Sequence, residues 1–182
     1  MPYIIAAIVI IVIIVLWAIS VQRSLVALDE NINNAMSQIG VQLSSRWDAL
    51  TSLLELTKGY AAHEYKTITE TVKERRTITR DSSPEDIREQ ENVFTEALGK
   101  IMAVAESYPD LKADKTYIKT MDSVNLYENM VRTSRLIYND SVTKLNRAVR
   151  MFPASLIAGA LGFLKRTYLE ELNEKSSMPS MK

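Results

Sequence analysis

The chain has one histidine, and His63 with the neighbouring Glu64 is the pair best suited in residue type to acid–base or metal chemistry. Adjacent positions on a helix point about 100° apart, so the two side chains cannot pair with each other. A zinc-protease motif needs a second histidine four residues on, where Thr67 stands. A carboxylate-bridged diiron centre needs two Glu-x-x-His motifs, which a single histidine excludes. Any metal held by His63 and Glu64 would have to recruit ligands from other helices.

Other chemistries fail on composition. There is no cysteine, which removes disulfides, thiolate metal sites, iron–sulfur clusters, cysteine nucleophiles and lipidated cysteine anchors. The five glycines are scattered and form neither a Gly-x-x-x-x-Gly-Lys nor a Gly-x-Gly-x-x-Gly phosphate cradle. No catalytic, cofactor-binding or metal-ligating residue is therefore assigned, no cofactor is expected, and the protein is read as non-enzymatic. The sequon Asn139-Asp140-Ser141 is a three-residue pattern that chance produces often, and it is given no weight.

Charge is balanced overall and uneven along the chain. Residues 81–128 carry eleven acids against five bases, and residues 132–166 carry seven bases against one acid, Asp140. Packing of antiparallel helices explains complementary halves more simply than a basic surface for nucleic acid, so no nucleic-acid partner is expected. The basic cluster Lys73, Arg75, Arg76 and Arg80 fits the end of a helix, where cations meet the negative pole of the dipole.

The elements that position these residues read as all-α. With only five glycines and five prolines, the chain lacks the frequent turns of a barrel or sandwich. Residues 3–21 are uncharged and almost wholly aliphatic, Arg23 being the first charge, and about 20 such residues match the thickness of a bilayer core. We read residues 1–22 as a single-pass transmembrane anchor in contact with membrane lipid. A cleaved signal peptide would carry a basic leader, which is missing. Arg23 leans the remainder toward the cytoplasm.

Residues 23–174 read as an antiparallel helical bundle with a long first helix, and 175–182 as a flexible tail. Leu25, Leu28, Ile32, Ala35 and Ile39 follow 3-4 spacing, with Asn31, Asn33, Asn34 and Gln38 on the other side. The pattern continues through Leu43, Leu50, Leu53, Leu54, Ala61, Ile68 and Val72, predicting one helix from the anchor to Thr79 with Gly40 and Gly59 as tolerated weak points. Such a helix reaches about 85 Å beyond the bilayer. Ser83 as N-cap, Pro84 at the first helical position and the acids Glu85 and Asp86 start a second helix that runs to Ser107. Tyr108-Pro109 interrupts it, and a third runs from Ala113 to Met151 with apolar Ile118, Met121, Val124, Leu126, Met130 and Ile137. Helices so unequal cannot form matched rods, so either the first bends or the third overhangs. Phe152–Leu164 is a further apolar stretch too short to cross a bilayer, readable as a buried last helix, a segment dipping into the membrane, or a contact between protomers.

These residues also carry a resemblance. Asn33, Ala35, Ser37, Ile39, Val41, Gln42 and Leu43, followed by Lys58-Gly59-Tyr60 and His63-Glu64, look like the N-terminal signature of the LemA family. Ala105 to Ala113, Glu128-Asn129, Arg135, Tyr138-Asn139, Phe152-Pro153, Ala158, Gly162 and Phe163 match further blocks in order. Gly40 stands where the family usually has Asp, Ser44 to Trp47 replace a more basic stretch, and Thr51 sits where Pro is common. The resemblance implies a bacterial, membrane-anchored helical bundle with its domain in the cytoplasm, and it implies no catalytic residues. Its polar positions Asn33, Gln42, Lys58, His63, Glu64, Glu128, Arg135 and Asn139 are either a network between helices or a partner-binding face. The function expected is that of a membrane scaffold or adaptor with a protein partner; the alternative is a self-assembling protein that clusters or shapes lipid, with a second copy as its partner.

Overall fold

A computed structural model describes residues 2–169. The tail expected over 175–182 lies outside the described residues. Six helices are present among them: α1 Pro2–Thr57, α2 Ala62–Val72, α3 Pro84–Ser107, α4 Pro109–Ala113, α5 Lys115–Arg150 and α6 Ala154–Ala160. No described residue is in a strand.

The first helix runs without a break from the apolar stretch into the bundle, as the seam spacing predicts. Side chains from Ile4 to Leu16 are exposed, while Leu25, Ile32, Ala35, Ile39, Leu43, Leu50 and Leu53 are buried. One end of the helix therefore has no neighbour among the described residues and the other forms the core.

The prediction that this helix continues to Thr79 is wrong. Helix α1 ends at Thr57, whose hydroxyl turns back to the Leu54 carbonyl at 2.7 Å. A tight corner follows, in which Tyr60 and Ala61 N–H both donate to the Thr57 carbonyl. Tyr65 on α2 reaches across to the Glu55 carboxylate at 2.6 Å and locks the reversal. The chain then returns along α1, first as α2 and then, past Val72, as an extended segment. Thr77-Ile78-Thr79 is a β-branched run, a poor helix former, and it lies across α1 instead of prolonging a helix. The reach of α1 beyond residue 22 is thus about 50 Å rather than 85 Å.

Gly40 is not a weak point but a contact. The Ile78 carbonyl lies so close that a Cβ on residue 40 would collide with it. Arg75 fixes the same segment to α1 through Asp48 at 2.7 Å and the Ser44 hydroxyl at 2.7 Å. From the other side, the buried Gln90 amide accepts from Arg76 N–H at 2.7 Å and donates to the Glu74 carbonyl. Of the basic cluster at 73–80, Lys73 stands at the C-cap of α2, a helix end, while the Arg75 side chain serves this clamp and the Arg76 side chain pairs with Glu89 at 3.1 Å.

The start of α3 is as predicted. Ser83 Oγ accepts from Asp86 N–H while the Asp86 carboxylate accepts from Ser83 N–H at 2.6 Å, a capping box with Pro84 in the first turn. The Asp114 carboxylate caps α5 by accepting from Thr116 and Tyr117 N–H, and these bonds hold it below the usual carboxylate range. The principal packing of the molecule is α1 against antiparallel α5. The contacting side of α5 is Tyr117, Met121, Val124, Val131, Tyr138, Val142 and Leu145, all at seam spacing. Of the apolar residues expected on this helix, Ile118, Leu126, Met130 and Ile137 instead face outward and are exposed. The short α6 buries only Ala158, so Phe152–Leu164 is not a buried last helix.

Gly40→Ala should lower the unfolding free energy by about 1–3 kcal/mol, because backbone must move to admit the methyl group. Gly59→Ala, with open space around it, should stay within about 0.5 kcal/mol of the parent. Chemical denaturation of both variants in detergent micelles, followed by circular dichroism, measures the difference.

Candidate functional site: a buried ionic layer and an exposed groove

The apolar core is divided in two. One cluster gathers Trp47, Leu50, Leu53, Phe94, Ile101 and Val124, and the other Leu25, Ile32, Ile39, Ile87, Val131, Val142 and Leu145. At their junction four charged side chains occupy seam positions of three helices. They are Arg46 of α1, Glu91 of α3, and Glu128 and Arg135 of α5.

Arg135 donates from Nη1 to both oxygens of Glu91, at 2.8 and 2.9 Å. Arg46 pairs with Glu128 at 2.5 Å, and its guanidinium lies 3.8 Å from the centre of the Phe94 ring. Trp47 meets that ring edge-on at 5.2 Å. Burial lowers the pKa of Arg46 against the pull of Glu128 and Glu91. Burial likewise pushes the Glu91 carboxyl above its usual range, although Arg135 and Arg46 oppose the shift. With both charges desolvated, removing one partner of a pair would leave the other buried and uncompensated.

Two asparagines on α5 continue the structural theme. Asn146 donates to the Arg166 carbonyl at 2.9 Å and accepts from Arg166 N–H at 2.8 Å. Asn139 makes the same pair with Leu169, both bonds at 2.9 Å. Each amide mimics a neighbouring strand, and together they pin the extended segment 163–169 along α5. Of the polar family positions, Glu128 and Arg135 therefore belong to the network between helices, and Asn139 holds the extended segment against α5.

Lys58, His63 and Glu64 do not. They are exposed at the α1–α2 corner, the end of the bundle farthest from the apolar stretch. Among the described residues, neither the His63 ring nor the Glu64 carboxylate has a hydrogen-bond or ion-pair partner. Both line an open groove of about 380 Å³ between α2 and α3, with Lys100, Ala103, Ser107 and Tyr108 on the opposite wall and Ile68 in its floor. Tyr60 and Tyr108 approach to 6.0 Å at one end. Lys100 crosses to the Thr71 hydroxyl at 3.0 Å and holds the two walls together. The groove presents one imidazole, one carboxylate, aromatic edges and the Lys100 ammonium, which also pairs with Glu96 at 2.6 Å. Among the described residues no group of three His, Asp or Glu side chains is placed to hold a metal ion.

The sequence reading missed Arg46 and Glu91. Their signal was present: Ile39, Leu43, Arg46, Leu50 and Leu53 continue one 4-3 stripe, as do Ile87, Glu91 and Phe94. A charge on a seam must be buried and paired.

Fold and site together define a class, that of helical bundles built onto an N-terminal apolar helix. The model of the LemA family matches residues 35–182, and the chain belongs to the LemA family. Over 78 residues it is 33% identical to magnetosome proteins MamQ 1 and MamQ 2 of Paramagnetospirillum magneticum, covering 43% of this chain and 29% of either relative. It is 32% identical over 78 residues to magnetosome protein MamQ of Magnetospirillum gryphiswaldense, with the same coverage. The chain thus spans less than a third of the length of the curated relatives it matches. With the exposed apolar half of α1, membership makes this a membrane-associated protein.

Because burial raises the Glu91 value, the folded chain holds that proton to higher pH than the unfolded chain. The stability this adds is present at low pH and lost as pH rises through the folded-state value. Removing Arg135 raises that value further. Arg135→Met should cost about 3–5 kcal/mol near neutrality, with a smaller deficit at about pH 5 than at about pH 8. Glu91→Leu combined with Arg135→Met should recover most of the loss. Urea unfolding at the two pH values tests both statements, and a pH-independent deficit contradicts them.

Proposed function

We propose that the protein is a non-enzymatic adaptor. Residues 3–21 cross the bilayer once, the bundle stands in the cytoplasm, and the α2–α3 groove receives a segment of a partner protein about 50 Å from the membrane surface. The observation that carries this reading is the set of exposed side chains at the corner. His63 and Glu64 fall within the family motif yet do no internal structural work, whereas Glu128, Arg135 and Asn139 of the same motif set are occupied inside the fold. Arg23, the only charge near the apolar stretch's end before Asp29, supports the orientation through the positive-inside tendency.

A second reading, self-assembly at the membrane, is favoured by a different surface. Leu126, Met130 and Ile137 form an outward stripe on α5 and are 53%, 40% and 47% exposed. A second copy of the chain is the occupant that reading requires.

A photo-reactive residue placed at His63 or Ala103 in cells should give a discrete adduct with another protein, and Lys100→Glu should diminish it. The same residue at Asn125, on the exposed side of α5, should give none. Absence of adducts from both groove positions contradicts the adaptor reading, and adducts between two copies through Met130 favour self-assembly.

A further inference from the structure

The segment between the end of α5 and the pinned extended segment presents a feature that neither the bundle nor the groove uses. After Arg150 the chain leaves the α1–α5 pair, forms α6 and returns at Arg166, which is tied to Asp29 of α1 at 2.9 Å and to Asn146 of α5. Because α5 runs antiparallel to α1, the chain between those ties lies on the N-terminal side of Asp29, with α6 in contact with both helices. The projecting part is apolar: Met151, Phe152, Leu156, Leu161 and Leu164 are 56%, 79%, 64%, 50% and 77% exposed. These values match those of Ile4 to Leu16 on α1, the residues facing lipid in the reading above.

The level of this loop on α1 is fixed by packing. Ala158 is fully buried in a cluster with Leu25, against which Val21, Leu28 and Phe163 also pack. Val21 is the last apolar residue before the first charge, Arg23, and Leu25 lies about 6 Å further along the helix than Val21. The exposed apolar side chains of the loop thus stand where α1 leaves the hydrocarbon. Exposed Arg147 and Arg150 precede the loop on α5, exposed Lys165 follows it, and Arg23 is exposed two residues before Leu25 on α1. An apolar segment flanked by cations is the pattern of a segment seated in the headgroup region of an anionic bilayer.

We propose that residues 151–164 are a second membrane-contact element, a foot that inserts its apolar side chains into the leaflet from which α1 emerges while the neighbouring cations meet anionic headgroups. The proposal rests on the reading that residues 3–21 span the bilayer. Two attachments, one through the span and one through the foot, fix the tilt and rotation of the bundle on the membrane, which a single helix cannot do.

Absence of native cysteine allows the test on the full chain. Single spin labels are placed at Val12, Ser52, Leu156 and Leu161 and read by power saturation in nanodiscs of phosphatidylcholine and phosphatidylglycerol. Oxygen accessibility should exceed that of a water-soluble nickel chelate at Val12, Leu156 and Leu161, with Val12 deepest, and the order should reverse at Ser52. Aqueous behaviour at Leu156 and Leu161 with Val12 deep overturns the foot and leaves the span intact. Aqueous behaviour at Val12 overturns the span and the foot with it. Leu156 and Leu161 shielded from both relaxants, with broadening between labels, means that a second copy covers the loop and overturns the proposal. A Leu156→Asp variant labelled at Leu161 should keep its helicity in detergent and lose the oxygen preference in nanodiscs; retention of that preference also contradicts the foot.

Discussion

The arrangement depends on one constraint: α1 is a single helix that carries both the exposed apolar stretch and the core stripe. Its first part has no neighbour among the described residues and its later part supplies a core stripe to every layer of the bundle, with no glycine or proline hinge between them. A rotation or tilt of the apolar part is therefore transmitted to the bundle. Helix α5 packs along the same seam in the opposite direction, which returns the chain to the level of Val21 and brings α6 there. The α2 reversal sends the groove to the other end. Positions of foot and groove both follow from the length and continuity of one element.

Within that frame the ionic layer solves a register problem. Helical stripes of Leu, Ile and Val can slide past one another by a turn at modest cost, because apolar contact is not directional. Arg46, Glu91, Glu128 and Arg135 remove that freedom, since a shift of any one helix would strand a buried charge. Phe94 is held by Arg46 above and Trp47 at its edge, so the layer also orders the adjacent apolar cluster. Gln90, Asn139 and Asn146 do comparable work for the two extended segments. A side-chain amide sets an N–H donor beside a carbonyl acceptor, the pair that a backbone peptide offers to a neighbouring strand.

Much of this was legible in residue order. The Ser83-Pro84 start, the Tyr108-Pro109 break, the seam from Leu25 to Leu54 and the apolar run of residues 3–21 each have a local physical cause, and the structure keeps them. The α1–α2 corner was not legible, because Gly59 is tolerated inside helices and the bonds that close the turn come from Thr57 and from Tyr65 after the reversal. Gly40 misled for the same reason: its meaning lies in the Ile78 carbonyl, remote in sequence. On α5 the apolar residues divide between two faces, and picking out Ile118, Leu126 and Ile137 without testing the 4-3 frame selected the outer one. The same frame, applied strictly, would have placed Glu128 and Arg135 inside. For the groove, His63 and Glu64 were visible as residue types, but Lys100 and Tyr108 reach them only through the packing of α3 on α2.

Continuity of α1 is open to direct measurement. Spin labels at Val12 and Ser52, both exposed on that helix, should give a narrow distance distribution by pulsed dipolar spectroscopy in nanodiscs, centred at about 60 Å from the rise of an unbroken helix. A broad distribution, or a centre shorter by about 10 Å or more, would mean that α1 bends between membrane and bundle, and the fixed placement of groove and foot would be lost.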